Sequence, residues 1–193
     1  MFALVESGSI TQMPRGNKGI QIGDIKYPAA IYTLWTEAER NAIGIYTIEL
    51  DDTNKKDEEW YNNTDITYAF SGGKAKGTYG SATAKAMDDK TVKGILVKGL
   101  KTIKKELVDN QCAQLLAPSD WRVVKATETG DAMDSGWKTW RASVRTKCNS
   151  MQTQINNAAN VDALATLYTY VNTASEGDPV VLERPLGEFP VKA

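Results

Sequence analysis

The stretch TVKGILVKGLKTIKKEL, residues 91–107, decides the fold, because the spacing of apolar residues changes there. Upstream, the chain carries short β-prone runs broken by turn residues. From Thr91 the spacing follows the 3.6-residue period of a helix. Val92, Leu96, Leu100, Ile103 and Leu107 fall on one narrow face. This spacing predicts a helix from about residue 90 to Leu116, closed by Pro118. Lys90, Lys93, Lys98, Lys101, Lys104 and Lys105 then cover the rest of its surface.

Working back toward the N-terminus, Phe2–Val5 and Ser9–Gln12 flank Glu6-Ser7-Gly8, a hairpin signal. Residues 20–27 alternate apolar and polar and stop at Pro28. Thr36-Glu37-Ala38-Glu39 is a capping box for a short helix that ends near Ile43 and Gly44. Ile45–Leu50 reads as a strand, Asp51–Glu59 as a charged loop, and Thr64–Ala69 and Lys74–Tyr79 as strands around Ser71-Gly72-Gly73. Working forward, Ser119–Lys125 reads as a connection and the following residues as a polar loop to Gly130. A second long helix spans about Asp134 to Ala158, with Trp137, Trp140, Val144, Cys148, Met151, Ile155 and Ala158 as its stripe. Asn160 caps a third helix carrying Val161, Leu164, Leu167, Tyr168 and Val171. Val180–Leu182 is a further strand signal. The expected fold class is α+β: a β-rich module with one short helix over 1–88, a three-helix module over 89–175 and an extended tail over 176–193. The Pro-containing tail after Gly177 is the segment expected to be ordered only against a neighbouring molecule.

Composition limits the chemistry. The 193 residues include 23 Lys plus Arg against 24 Asp plus Glu, a net charge of −1, which argues against a protein that coats nucleic acid or a polybasic membrane protein. There are no histidines, so the commonest general base and zinc ligand are missing. Cys112 and Cys148 are read as two buried thiols, with a single disulfide as the alternative. No run is long and apolar enough to span a bilayer, and Met1–Glu6 lacks the basic start of a secretory signal, so synthesis inside the cell is expected.

Candidate sites were weighed against plain structural roles. Gly72-Gly73-Lys74 lacks the spacing and the following helix of a phosphate loop and reads as a hairpin. Asp51, Asp52, Asp57, Glu58 and Glu59 lack calcium-loop spacing and read as a solvated loop. The lysine-rich helix has no interleaved aromatics for base stacking, so its lysines read as a solvated face. No catalytic, cofactor or metal residues are assigned, and the chain reads as non-enzymatic. Trp35, Trp60 and Tyr61, if exposed, offer stacking faces for a sugar. Trp121, Trp137 and Trp140 read as helical core. Arg141 and Arg145 flank the stripe, and a bidentate bond from one of them to Asp120 would fasten the connection onto the second helix.

Leu115-Leu116-Ala117-Pro118-Ser119-Asp120-Trp121, followed by Trp137-Lys138-Thr139-Trp140-Arg141-Ala142-Ser143-Val144-Arg145, resembles a pattern of tailed-bacteriophage tail proteins. The pattern is a Leu-rich helix end, Thr or Ser, Asp, Trp, a variable stretch, then an aromatic, Arg and a closing hydrophobic-x-Arg. It occurs in the phage tail assembly chaperone family and in accessory tail and tail-fibre proteins. Trp140 stands where Tyr is commoner. Ile31–Thr36, Lys98–Thr102 and Arg184–Pro190 also resemble segments of small structural proteins of marine phages. The resemblance implies a virion protein, made in the host cytoplasm, at the tail tip, baseplate, neck or fibre attachment. Its partners would be other tail proteins, in a homo-oligomer or ring, with no nucleic acid and no membrane. The alternative it implies is a tail or tail-fibre assembly chaperone absent from the mature particle. The motif residues carried over are Asp120, Trp121, Trp137, Trp140, Arg141 and Arg145.

Overall fold

The computed structural model describes residues 1–192. The chain is α+β and divides into two compact units, residues 1–83 and from Ala84 onward.

The first unit is built on a five-stranded sheet. Its strands are β1 (Phe2–Glu6), β2 (Ser9–Gln12), β5 (Ile45–Asp51), β7 (Ile66–Ser71) and β8 (Lys74–Tyr79), in the order β2-β1-β5-β8-β7. All neighbours are antiparallel except β5 and β8, which run parallel with Ile48 opposite Ala75. Successive side chains point to opposite faces, so adjacent Ala3 and Leu4 feed two separate clusters. Leu4 and Ile45 pack with Ile20, Ile31 and Tyr32; Ala3 packs with Ile48 and Ala75. The hairpin β3 (Ile20–Ile22) and β4 (Ile25–Tyr27) precedes α1 (Ile31–Leu34) and α2 (Glu37–Ala42). This unit thus holds two short helices where one was expected. The α2 capping box forms: Thr36 Oγ1 accepts from the Glu39 amide at 3.3 Å, and the Thr36 amide donates to Glu39 Oε2 at 2.7 Å. The charged loop satisfies its own turns, with Asp51 Oδ1 accepting from the Thr53 amide and Asp57 Oδ1 from the Glu59 amide. Trp60 and Tyr61 are buried, so neither presents the stacking face that a sugar site requires, and Trp35 is half-buried against the Leu4 cluster. β6 (Tyr61–Asn62) and β9 (Thr83–Ala84) are two-residue strands.

The second unit opens with a correction. Residues 90–97 are a hairpin, β10 (Lys90–Val92) and β11 (Ile95–Val97), and helix α3 begins only at Leu100 (Leu100–Leu116). The turn is Lys93-Gly94, both at positive φ (50° and 79°), the geometry of a two-residue hairpin turn. A helix cannot pass through that pair, and β-branched Val92, Ile95 and Val97 favour strand on either side. The segment before the hairpin supplies the helix N-terminus. Leu100 and Lys101 amides donate to the Ala86 and Met87 carbonyls, and the Gly99 amide donates to Asp89 Oδ1 at 2.7 Å. Packing also turns the helix away from the expected face. Its buried face is Leu100, Lys104, Val108 and Cys112, while Ile103 and Leu107 are exposed. Lys104 therefore leaves the expected solvated face and sits buried, its ammonium 4.8 Å from the Tyr168 ring centre.

The expected connection after Pro118 is also helical. A 3₁₀ turn (Ala117–Ser119) leads into α4 (Asp120–Thr129), ended by Gly130 in the left-handed region (φ 73°). The unit thus has a fourth helix. Helix α5 (Ser135–Asn157) is capped by Asp134, which accepts from the Trp137 amide at 3.0 Å, and buries Arg141, Val144, Cys148, Met151 and Ile155. Helix α6 (Val161–Tyr168) is capped by Asn160. Val171 is not on it: Val171–Asn172 (β12) pairs with Leu182–Glu183 (β13). The segment expected to await a neighbour is held by its own chain. Leu186 is buried and its amide donates to the Leu167 carbonyl; Lys147 Nζ donates to the Leu186 carbonyl at 2.8 Å. Trp140 Nε1 donates to the Pro190 carbonyl at 3.0 Å, and Arg184 pairs with Glu188 at 2.7 Å.

Candidate functional site

The motif residues lie along α4 and the first half of α5. Arg141 points from α5 into the corner where α3 ends and α4 begins. It is 5% exposed, and its Nη1 donates to the Leu116 carbonyl at 2.8 Å and to Ser119 Oγ at 2.5 Å. Its Nη2 donates to Asp120 Oδ1 at 2.6 Å. The expected Asp120–Arg141 contact thus exists, but through one guanidinium nitrogen rather than two; the other serves the helix end. Leu116 sits where a helix leaves carbonyls without intrahelical donors. The guanidinium fork satisfies one of them with a charged donor at a half-buried helix end. Ser119, fully buried, also donates to the Leu116 carbonyl, at 2.8 Å. Sequence reading did not single out Ser119; a small hydroxyl just after a helix-ending Pro is the signal that marks it.

Arg145 does not join Asp120. It lies along a groove between α3 and α5 with Asp109, Cys112, Leu116 and Cys148. Both cysteines are free and buried. Burial, the most important cause, together with Cys112 and Asp109, pushes the Cys148 thiol up to about 12.

The tryptophans form a ladder rather than a core. Trp137 and Trp140 are half-buried and meet edge to face, ring centres 5.6 Å apart. Trp121 is 55% exposed, so its expected place in the core is corrected. The extra helix α4 turns it outward, where its ring lies 4.5 Å from the Arg122 guanidinium, which in turn lies 4.6 Å from Trp137. Arg122, unmarked in the sequence reading, thus stacks between two indoles. Trp121, Arg122 and Lys125 form one side of a cavity of about 210 Å³, with Asp131, Met133 and Asp134 on the other.

Further exposed apolar side chains of this unit lie on two short ribbons. On the β10–β11 hairpin Val92, Ile95, Leu96 and Val97 are 44%, 70%, 60% and 43% exposed. On and beside β12–β13, Val171, Val180, Val181 and Leu182 are exposed. The hairpin at 90–97 was hidden in the sequence because Val92 and Leu96 also fit helical spacing; the Lys93-Gly94 turn was its signal. Among the described residues, no group of three or more His, Cys, Asp or Glu side chains is placed to hold a metal ion. Among the described residues, no helix is long and apolar enough to cross a membrane. In comparisons with protein-family models, curated proteins and solved structures, nothing matches this chain.

Proposed function

We propose that this chain is a non-enzymatic structural component of a bacteriophage tail, acting through protein–protein assembly contacts at the tip, baseplate, neck or fibre attachment. The resemblance of residues 115–145 to tail proteins names the setting. The observation that carries the assembly role is the β10–β11 hairpin. Its Ile95, Leu96 and Val97 are exposed in succession, on a ribbon of only two strands. Exposed apolar side chains beside open backbone edges favour addition of a partner's strand, which buries the apolar surface and pairs the free amides and carbonyls. Lys90 and Lys93 on the same ribbon fit a partner strand flanked by carboxylates. The partner is a neighbouring tail subunit, and cyclic repetition of one such contact builds a ring.

Quantitative mass spectrometry of gradient-purified particles tests this reading. A constant copy number per particle, lost on Ile95→Glu with Leu96→Glu, is the expected result. Abundance in the infected-cell lysate with none in particles would replace it with the assembly-chaperone reading. Carrying no such hairpin dependence at all would remove the assigned surface.

A further inference from the structure

Cys112 and Cys148 approach each other from α3 and α5, which pack side by side. Cys112 is 9% and Cys148 6% exposed, and Cys112 is among the neighbours that raise the Cys148 thiol. The pair does not sit in a sealed core. Both cysteines line an open groove of about 360 Å³ whose other walls include Asp109, Ala113, Arg145 and Asn149, all exposed. Cys148 Sγ also lies 3.6 Å from Asp109 Oδ1 and 3.6 Å from Gln152 Nε2.

We propose that Cys112 and Cys148 form an oxidisable dithiol, closed into a disulfide between α3 and α5 by small disulfides of the glutathione class that enter this groove. The Cys112 thiolate attacks one sulfur of the reagent disulfide. That S–S bond breaks, a mixed disulfide forms on Cys112, and one small thiolate leaves. The Cys148 thiolate then attacks the Cys112 sulfur, forming the internal S–S bond and expelling the second small thiolate. Each departing thiolate takes up the proton that a protein thiol has lost. Two protein thiols are oxidised, and one reagent disulfide is reduced to two thiols. Cys148 acts second because burial, then Cys112 and Asp109, hold its thiol protonated until the mixed disulfide on Cys112 lies beside it.

The tie encloses a loop of about 35 residues, including the turn, α4 and the start of α5. Cross-linking a loop of that size lowers the entropy of the unfolded chain, so the oxidised unit melts several degrees higher. The inference stands apart from the tail reading, since it needs only α3, α5 and the groove. A chain made under reducing conditions would carry free thiols and gain the tie on reaching oxidising surroundings.

The test treats the native full chain with oxidised glutathione and follows intact mass, thiol-specific peptide mapping and melting temperature. The expected product has lost two hydrogens, carries no glutathione, joins the Cys112 and Cys148 peptides within one chain and melts higher until dithiothreitol reverses it. Cys148→Ser should stop at a glutathione adduct on Cys112. A native chain that stays reduced, or one that stalls with glutathione attached, overturns the proposal. So does a cross-link between two chains. These wild-type readouts decide the matter even if Cys148→Ser fails to fold.

Discussion

Replacing Arg141 with Met should cost this protein more than any other single change among the motif residues. Methionine keeps much of the aliphatic stem that packs in α5 while removing the charged fork. Lost with the fork are the bonds to the half-buried Leu116 carbonyl and the buried Ser119 Oγ, and the contact to Asp120. A bond from a charged donor contributes about 1.5–3 kcal/mol, but Leu116 keeps its bond from Ser119, which offsets part of the loss. The Asp120 end is 60% exposed, so solvent screening leaves it worth at most about 1 kcal/mol. The sum is about 3 kcal/mol, a melting shift on the order of 10 °C for a unit of roughly 100 residues. Urea unfolding followed by tryptophan fluorescence measures it directly, because Trp121, Trp137 and Trp140 all lie in this unit. Asp120→Asn should cost under about 1 kcal/mol. Arg141→Lys should fall between the two, since an ammonium replaces the charge but not the planar fork. A loss below about 1 kcal/mol for Arg141→Met, or an equal loss for Asp120→Asn, would refute the view that the guanidinium works chiefly as a cap on α3.

Other predictions follow from separate places in the fold. Gly99→Ala should destabilise the second unit by about 1–3 kcal/mol in denaturant titration, because a Cβ there would meet the Asp88 backbone at 2.4 Å and cannot be accommodated without moving the start of α3. Asp89 has its carboxyl held below the usual range by the Gly99 amide and then by Thr102. That contribution is present above the unfolded carboxyl pKa and is lost as pH falls through the lower folded value, so melting temperature should drop below about pH 4 and drop less in Asp89→Asn. Cys148 has the opposite sign: its raised thiol pKa contributes stability below the unfolded value, lost as pH climbs from about 9 toward 12, and Cys148→Ser should flatten that alkaline limb. Ile95→Glu with Leu96→Glu should leave the melting temperature nearly unchanged, since both side chains are already in solvent, while abolishing incorporation into particles.

Much of the first unit was legible because its signals are local. Two-residue turns at Ser7-Gly8 and Gly72-Gly73 and the Thr36–Glu39 capping box each determine structure within a few residues, and each forms as read. Helix α5 was legible for the same reason, through its Asp134 cap and its unbroken stripe from Val144 to Ile155. Residues 90–97 were misread because apolar residues four apart satisfy a helix while the same residues, split by a turn, satisfy two strands. Within α3 the packing then chose another face: Lys104 and Val108 are buried, and Ile103 and Leu107 are exposed. Of the candidate site, the pairing of Asp120 with an α5 arginine was visible in complementary charge, but the choice of Arg141 over Arg145 was not, because both follow the same stripe.

The sequence alone determined the α+β class, the order of the strand-rich and helix-rich parts, the capped helices and the lack of any histidine chemistry. Tertiary structure decided what faces what. It buried Trp60 and exposed Trp121, drew Lys104 over Tyr168, folded the C-terminal segment onto its own unit, and brought Cys112 and Cys148 to one groove. The physical reason is the range of the forces. Turns and caps close hydrogen bonds between neighbours a few residues apart, which a sequence displays directly. Burial and the pairing of buried polar groups depend on which elements meet, and Arg141 with Leu116, or Trp140 with Pro190, lie too far apart in the chain for spacing to reveal.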